Sequence, residues 1–445
     1  MQMIKLSVIA LAVAAASTQM AVASQQSESK GFIEDSKLDA HARVLYMNRD
    51  FRNGAKNTNP VTRKTNGYRE ETGLGLKAIY ESGFTQGTVG FGIDAFGLQG
   101  IKLDSGEGRH SNNMFPTDGR SGKAQDNYSQ AGGAVKARLS NTTLKYGEQF
   151  VDLPVLSTDD ARLLPETATG FLVTSNEIEN LELNLGHFTA LTAMDQTYHD
   201  SSNEGLLRSL DLVGGRYNFT NDLSAAYFYS DADLGHKGAG ETKIKKHYTN
   251  VNYNLPLANS QNLNFDFNMY NTKFNEKDQP RGERSSTNNV WSLAAAYNFL
   301  EAHTLTFAHQ RVTGSYEGGY EYGYDGGGSV YLANDVQYNG FHQQGEKSFQ
   351  ARYDLDMATY GVPGLSFMTR YVRGTNIKDQ SIDDTNRNNG KNWERNIEAK
   401  YVLQSGAAKD LSFRVRQATY RANDAAGLAD NNEVRLIVEY PLSIL

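Results

Sequence analysis

From residue 38 to the C-terminus the chain keeps returning to a period of two. Leu38, Ala40, Ala42, Val44 and Tyr46 alternate with Asp39, His41 and Arg43. Leu263, Phe265, Phe267 and Met269 alternate with Asn264, Asp266 and Asn268, and Phe349, Ala351, Tyr353 and Leu355 with Gln350, Arg352 and Asp354. The same pattern covers 135–139, 181–185, 411–416 and 434–440. Alternation places apolar side chains on one face of a strand and polar ones on the other. The chain is therefore expected to be all-β, and the open question is which face meets water.

A soluble sandwich hides its apolar face; a membrane barrel shows it to lipid. The start of the chain bears on this choice. Lys5 is followed by the apolar run Leu6–Ala16 and by Ala21-Val22-Ala23, a small-x-small cleavage pattern, so 1–23 is expected to be a signal peptide and 24–445 the exported domain. The run is shorter than the roughly 20 residues of a spanning helix. With a mean hydropathy of -0.57, insertion into a membrane would have to use strands. Cys is 0, which removes disulfides and thiolate metal sites from consideration. A net charge of -7 is too mild for a nucleic-acid binder to be the natural reading.

Two further features favour the barrel. Aromatic residues fall near strand ends (Tyr46, Tyr80, Tyr227, Tyr229, Trp291, Tyr297, Tyr371, Trp393, Tyr401 and Tyr440), as interfacial girdles require. Connections also alternate in length. Asn53–Arg69, Asp104–Ala131 and Gly314–Gly345 are long, whereas Glu81–Gln86, Asn141 and Thr359–Pro363 are short. This rhythm predicts a transmembrane antiparallel β-barrel of about 18 strands, from 38–49 to 433–442, with long external loops and short periplasmic turns. Eighteen strands enclose an aqueous channel that must be narrowed. The stretch Phe150–Gly170 carries Leu153, Pro154, Val155, Leu156, Leu163 and Leu164 among Asp159, Asp160 and Arg162, too apolar for a surface loop. It is expected to fold into the lumen as a constriction loop that displays its charges. The tail Pro441–Leu445 is a candidate assembly tag.

Catalytic and cofactor motifs are missing. There is no HExxH and no GxSxG. Gly90-Phe91-Gly92-Ile93-Asp94-Ala95 lies inside an alternating strand with no helix to follow, so it reads as small residues in a wall. The Asp384–Gly390 stretch resembles a calcium loop, but its Gly comes one place late and Arg395 stands at position twelve. The Gly/Tyr-rich Tyr316–Gly328 tract reads as an external loop. No enzyme, cofactor or metal is expected.

The phase of the strands does assign chemistry. A charge facing lipid at mid-membrane costs about 2–4 kcal/mol, so basic residues alternating with apolar ones belong to the lumen. These are Arg43, Lys136, Arg138, Arg352, Arg370, Arg414, Arg416 and Arg435, with Lys145 and Lys400 in the same phase. Concentrated on the last five strands, they form an electropositive track along which a carboxylate can exchange hydration for guanidinium hydrogen bonds.

Arg162-Leu163-Leu164-Pro165-Glu166-Thr167-Ala168-Thr169-Gly170-Phe171 resembles the constriction-loop motif of the OprD-like substrate-specific porins. So do Gly31–Ser36 before Asn48–Arg52, Ser366–Tyr371, Leu411–Gln417 and Arg435–Tyr440. The resemblance implies an eighteen-stranded barrel in the bacterial outer membrane, an infolded third loop and a ladder of Arg and Lys that guides carboxylates. Arg370, Arg414 and Arg416 match ladder positions, Lys136 and Arg138 less closely, and Asp159, Asp160 and Arg162 fall in the constriction loop. Partners would be small carboxylates, outer-membrane lipid and lipopolysaccharide, with the barrel acting singly or as a loose homotrimer. The Leu153–Leu156 run before Asp159-Asp160 leans toward aromatic or other monocarboxylates. Basic amino acids and small peptides, or a non-selective general porin, remain the alternatives.

Overall fold

The period-two alternation resolves into one closed sheet. The computed structural model describes residues 24–199, 206–235, 241–278, 282–315, 330–378 and 389–444. The expected signal peptide, the 316–328 tract, most of the 384–390 stretch and Leu445 lie outside the described residues.

Eighteen strands make the wall: β1 Lys37–Phe51, β2 Tyr68–Glu81, β3 Val89–Asp104, β4 Asn127–Leu139, β5 Thr142–Gln149, β6 Thr167–Ile178, β7 Leu181–Thr192, β8 Leu206–Asn218, β9 Leu223–Gly235, β10 Glu241–Pro256, β11 Asn262–Asp278, β12 Gly282–Phe299, β13 His303–Gly314, β14 Lys347–Asp356, β15 Leu365–Ile377, β16 Gly390–Val402, β17 Ser412–Ala422 and β18 Asn431–Ser443. Each pairs antiparallel with its neighbours in sequence. β18 closes on β1 over thirteen residues, from Asp39 opposite Ser443 to Phe51 opposite Asn431. Closure leaves no unpaired strand edge, the condition for a sheet in hydrocarbon.

Every strand expected from the alternation is present, and several run longer. β12 begins at Gly282, although its apolar residues start only at Val290. The residues before Val290 are polar in sequence, so alternation cannot reveal them, yet they continue the backbone ladder with β11. The outer wall carries the predicted apolar faces: Phe91 and Val135 are each 59% exposed, Phe307 64% and Phe349 63%. Outward aromatics stack in belts. Tyr297, Phe299, His303 and Tyr353 form one at the short turns, and Tyr371 stacks on Trp393 toward the long loops.

The buried apolar residues lie inside the barrel and fasten loops to it. Val151, Leu153, Val155 and Leu156 pack with Phe188, Leu210, Leu212, Phe228, Ile244, Tyr248, Tyr270, Phe274 and Val290 on β7–β12. Leu163 and Leu164 pack with Leu45 and Met47 of β1, Phe96 and Leu98 of β3, and Met114 and Phe115. The 150–166 loop is thus anchored on two separate walls and crosses the lumen between them. A tight ladder, Asp152–Leu153 against Leu156–Ser157, turns it back on itself.

A second inward segment departs from expectation. The Gly314–Gly345 connection was expected to be wholly external, but residues 330–346 return into the barrel. Val330, Tyr331 and Leu332 join the larger apolar cluster, and Phe341 is fully buried. The polar run around them gives no sequence signal for this, because its attachments are hydrogen bonds to strand side chains far along the chain.

Gly73 and Gly75 of β2 make room for the constriction loop. A Cβ on Gly73 would lie 2.7 Å from Leu163 Cδ2 and Phe115 Cζ, and one on Gly75 only 2.5 Å from the Leu163 carbonyl oxygen. The second clash is with backbone and cannot be relieved by a rotamer change. Gly75→Val is therefore expected to displace the loop and raise single-channel conductance in a planar bilayer. Heat-modifiable gel mobility should report an intact barrel, and an unaltered conductance would show that this contact does not set the bore.

Candidate functional site

Strand register determines what faces the bore. On β14 and β15, Arg352 stands opposite Arg370. On β16 and β17, Glu398 stands opposite Arg416 and Lys400 opposite Arg414. On β17 and β18, Arg416 stands opposite Arg435. Their in-phase neighbours point inward, since the flanking Phe413, Val415, Phe367, Ile397 and Leu436 are exposed on the outer wall. Arg352, Arg370, Arg414 and Arg416 line a cavity of about 400 Å³ with Asp354, Met368 and Glu398. Each two-residue step along a strand climbs about 6.6 Å, which spaces these cations into rungs.

Their partners differ. Glu398 is shared: it accepts 2.8 Å from Arg414 Nη2 and lies 3.2 Å from Arg416 Nε. The Nε atoms of Arg414 and Arg416 are buried without an aligned hydrogen-bond acceptor. Arg370, 8% exposed, donates from Nε to Asn396 Oδ1 at 2.9 Å. Neither Arg370 nor Lys400 has a carboxylate within 4.0 Å among the described residues. Arg352 is held by both oxygens of Asp354, each at 2.7 Å.

Other residues expected in the track have structural partners. Arg435 is 2% exposed. Its Nε donates to Glu433 Oε1 at 2.6 Å and its Nη2 to the Gln337 carbonyl oxygen at 3.1 Å. Glu433 is fully buried and also receives Arg49 Nε at 2.6 Å and Gln337 Nε2 at 3.0 Å. Losing one member of such a pair would strand a buried charge. Lys136 and Lys145 share Asp94 at 2.6 and 2.5 Å. Arg138 sits at the short-turn end, 4.1 Å from the Phe84 ring centroid, and donates to Gln26 Oε1 at 3.0 Å. Lys136 and Arg138 belong to another sector of the wall than the Arg370–Arg416 group. Gly90 and Gly92 face inward beside Gln26 and Lys136, as expected of small wall residues.

The constriction loop is clamped by charge as well as grease. Arg43 Nε donates to Glu439 Oε1 at 2.8 Å, while its Nη1 donates to Asp160 Oδ1 at 2.8 Å and to the Arg162 carbonyl oxygen at 2.6 Å. Lys77 Nζ reaches Asp160 Oδ2 at 2.7 Å. Asp159 accepts from the Ala161 backbone N–H at 2.9 Å and so braces its own turn. Arg162 donates from Nε to the Asn112 carbonyl oxygen at 3.1 Å. Asp160 and Asp159 therefore act first as struts, which strand phase alone does not reveal. The second inward segment meets the first where Tyr331 Oη donates to Asp152. It also meets the ladder wall, where Glu394 accepts from the backbone N–H groups of Tyr338 and Asn339 at 3.1 and 2.9 Å.

About half the ring away lies a wall of opposite character. Asp152, Glu179, Glu182 and Asp266, with Arg216, Tyr248, Asn250 and Tyr331, line a recess of about 920 Å³. Asp266 is oriented by Asn250 Nδ2 at 2.9 Å and Asn252 Nδ2 at 3.1 Å. The acidic wall was legible in principle: Glu182, Asn184, Asn264, Asp266 and Asn268 all alternate with apolar residues. Glu398 was equally legible, two residues before Lys400.

Burial pushes the Asp160 carboxyl up, but Arg43 and Lys77 beside it prevail and hold it below the usual carboxylate range. A depressed value means that the ionised clamp is fully formed above the unfolded carboxylate pKa of about 3.9 and is lost only as pH falls below it. Single-channel conductance is therefore expected to stay constant from pH 7 to about pH 5 and to become noisy or larger below about pH 4. Asp160→Asn should show the loosened behaviour already at pH 7; a noise profile identical to that of the native protein would exclude the clamp.

The comparisons agree with this geometry. Residues 30–444 match the family model described as outer membrane porin, OprD family. "Porin D" of Pseudomonas aeruginosa is 47% identical, and the alignment covers 100% of both chains. "Porin-like protein GalP" of Pseudomonas putida is 31% identical, covering 94% of this chain and 95% of that one. The crystal structure of Acinetobacter baumannii OccAB1 superposes with a TM-score of 0.83 at 36% identity, over 95% of this chain and 100% of the other. With an eighteen-stranded closed barrel, an infolded loop and matches of this extent, the chain belongs to the OprD family of outer-membrane porins, which are channels rather than enzymes.

Proposed function

We propose that the β14–β17 wall is a carboxylate track, and that this porin passes small carboxylate-bearing solutes along it by facilitated diffusion. The observation that carries this reading is the imbalance at Glu398. One carboxylate serves both Arg414 and Arg416, and among the described residues Arg370 has only an amide oxygen as its side-chain acceptor. A solute carboxylate would complete these donor sets with charge-assisted hydrogen bonds, each worth about 1.5–3 kcal/mol. Several such sites in series permit passage without trapping. Arg352 stands beside Arg370 on the same rung, and Lys400 beside Arg414 nearer the short-turn mouth. Arg43, Arg435, Asp159, Asp160 and Arg162 shape and hold the constriction in this proposal, and Lys136 and Arg138 line a separate sector.

The acidic recess favours a second reading, solutes that also carry a cation, such as basic amino acids. Asp152 of the constriction loop, Glu182 of β7 and Asp266 of β11 line this recess. The apolar residues behind the preference for aromatic monocarboxylates do not support it. Leu153, Val155 and Leu156 are 7%, 1% and 2% exposed and fasten the loop to the wall, so they offer no aromatic pocket. A non-selective pore would have no use for either charged wall.

Two variants separate these readings in proteoliposome uptake. Arg414→Gln with Arg416→Gln is expected to slow uptake of every carboxylate at least about tenfold, with heat-modifiable mobility retained; unchanged uptake kinetics would refute the track. Glu182→Gln with Asp266→Asn should slow uptake of arginine or lysine but not of benzoate if the second reading holds. Equal effects on both solutes would refute a cation-recognising wall.

A further inference from the structure

Outward-facing charges are costly in a membrane wall, yet four cations project outward from the long-loop halves of adjacent strands. They are Arg311 of β13, Lys347 of β14, Arg373 of β15 and Arg395 of β16. Arg311, Arg373 and Arg395 are exposed and Lys347 is half-buried. Each shares the phase of lipid-facing residues on its strand: Phe307, Phe349, Tyr371 and Ile397. None has a carboxylate within 4.0 Å among the described residues. Register makes them one patch interleaved with aromatics. Trp291 stands opposite Arg311, Arg311 opposite Lys347, Phe349 opposite Arg373, and Arg373 opposite Trp393 with Tyr371 opposite Arg395.

Nearer the middle of the strands than Arg311, Lys347 and Arg373, and on the same rung as Arg395, the outer wall is hollowed. Ala295 and Ala351 form low points between larger neighbours, and Phe265, Leu293, Phe307 and Phe349 rise around them, enclosing an apolar recess of about 540 Å³ with Arg373 at its edge. A run of cations over aromatic rings over an apolar groove matches an amphiphile with an anionic head and acyl chains. The patch lies in the long-loop half of the wall, which in an outer-membrane barrel is the external leaflet.

We propose that this face is a binding site for a phosphorylated glycolipid of the outer leaflet, the lipid A part of lipopolysaccharide. One acyl chain fills the groove over Ala295 and Ala351, and the glucosamine phosphates meet Arg311, Lys347, Arg373 and Arg395. Charge complementarity selects this occupant. The guanidinium groups are spread over four strands and offer forked donors to more than one phosphate, whereas a second copy of the chain would bring the same cations against themselves.

The test is native mass spectrometry of the purified barrel in detergent with bisphosphorylated lipid A added. The native protein should retain one lipid A. The triple variant Arg311→Gln, Arg373→Gln, Arg395→Gln should bind it about 100-fold more weakly, from roughly fivefold per membrane-surface cation lost. Ala351→Trp, which fills the groove and leaves the charges alone, should also weaken it. Dephosphorylated lipid A and phosphatidylglycerol should bind at least tenfold more weakly to the native protein. Unchanged single-channel conductance would show that both variants are folded, and if the triple variant does not fold, Ala351→Trp decides alone. Equal retention by the variants, phosphatidylglycerol binding as tightly as lipid A, or self-association through this face in place of lipid would each overturn the proposal.

Discussion

The need to satisfy every backbone N–H and C=O within the sheet governs this molecule. Hydrocarbon offers no alternative partner, so the sheet must close. The seam between β1 and β18 is therefore as long as an interior pairing. Once the ring is closed, the pleat has only two sides, and the identity of alternate residues follows. Apolar side chains turn to lipid, and everything costly to expose there turns to the bore.

A wide bore with a polar lining then poses its own problem, because charges gathered inside must be satisfied and space must be filled. This protein answers with two inward segments. The 150–166 loop is anchored by leucines and valines on two walls and held by Asp160 between Arg43 and Lys77. The 330–346 segment attaches to buried Glu394 and Arg435 chiefly through its backbone. Much of the interior charge is consumed in this bracing. What remains under-neutralised is concentrated on the β14–β17 wall, while acidic side chains gather in the recess along β7–β11.

Outside, the same logic explains the exceptions. Cations that break the lipid-facing pattern on β13–β16 stand in the long-loop halves of their strands and alternate there with aromatic residues, the residue type suited to an interface.

Period-two alternation determined the strand count, the sidedness of each strand and thus the inward aim of Arg370, Arg414 and Arg416, because a one-residue slip would place charge in lipid. The apolar content of 150–166 announced that this loop is buried. Only the tertiary structure decided which charges pair. Arg435 and Arg416 look alike in sequence, but one lies sealed between Glu433 and the Gln337 carbonyl while the other shares a single carboxylate with Arg414. It also decided that 330–346 enters the bore and that Asp160 is a strut. Pairing across hundreds of residues depends on register and on which loops fold inward, and neither leaves a local periodicity to read.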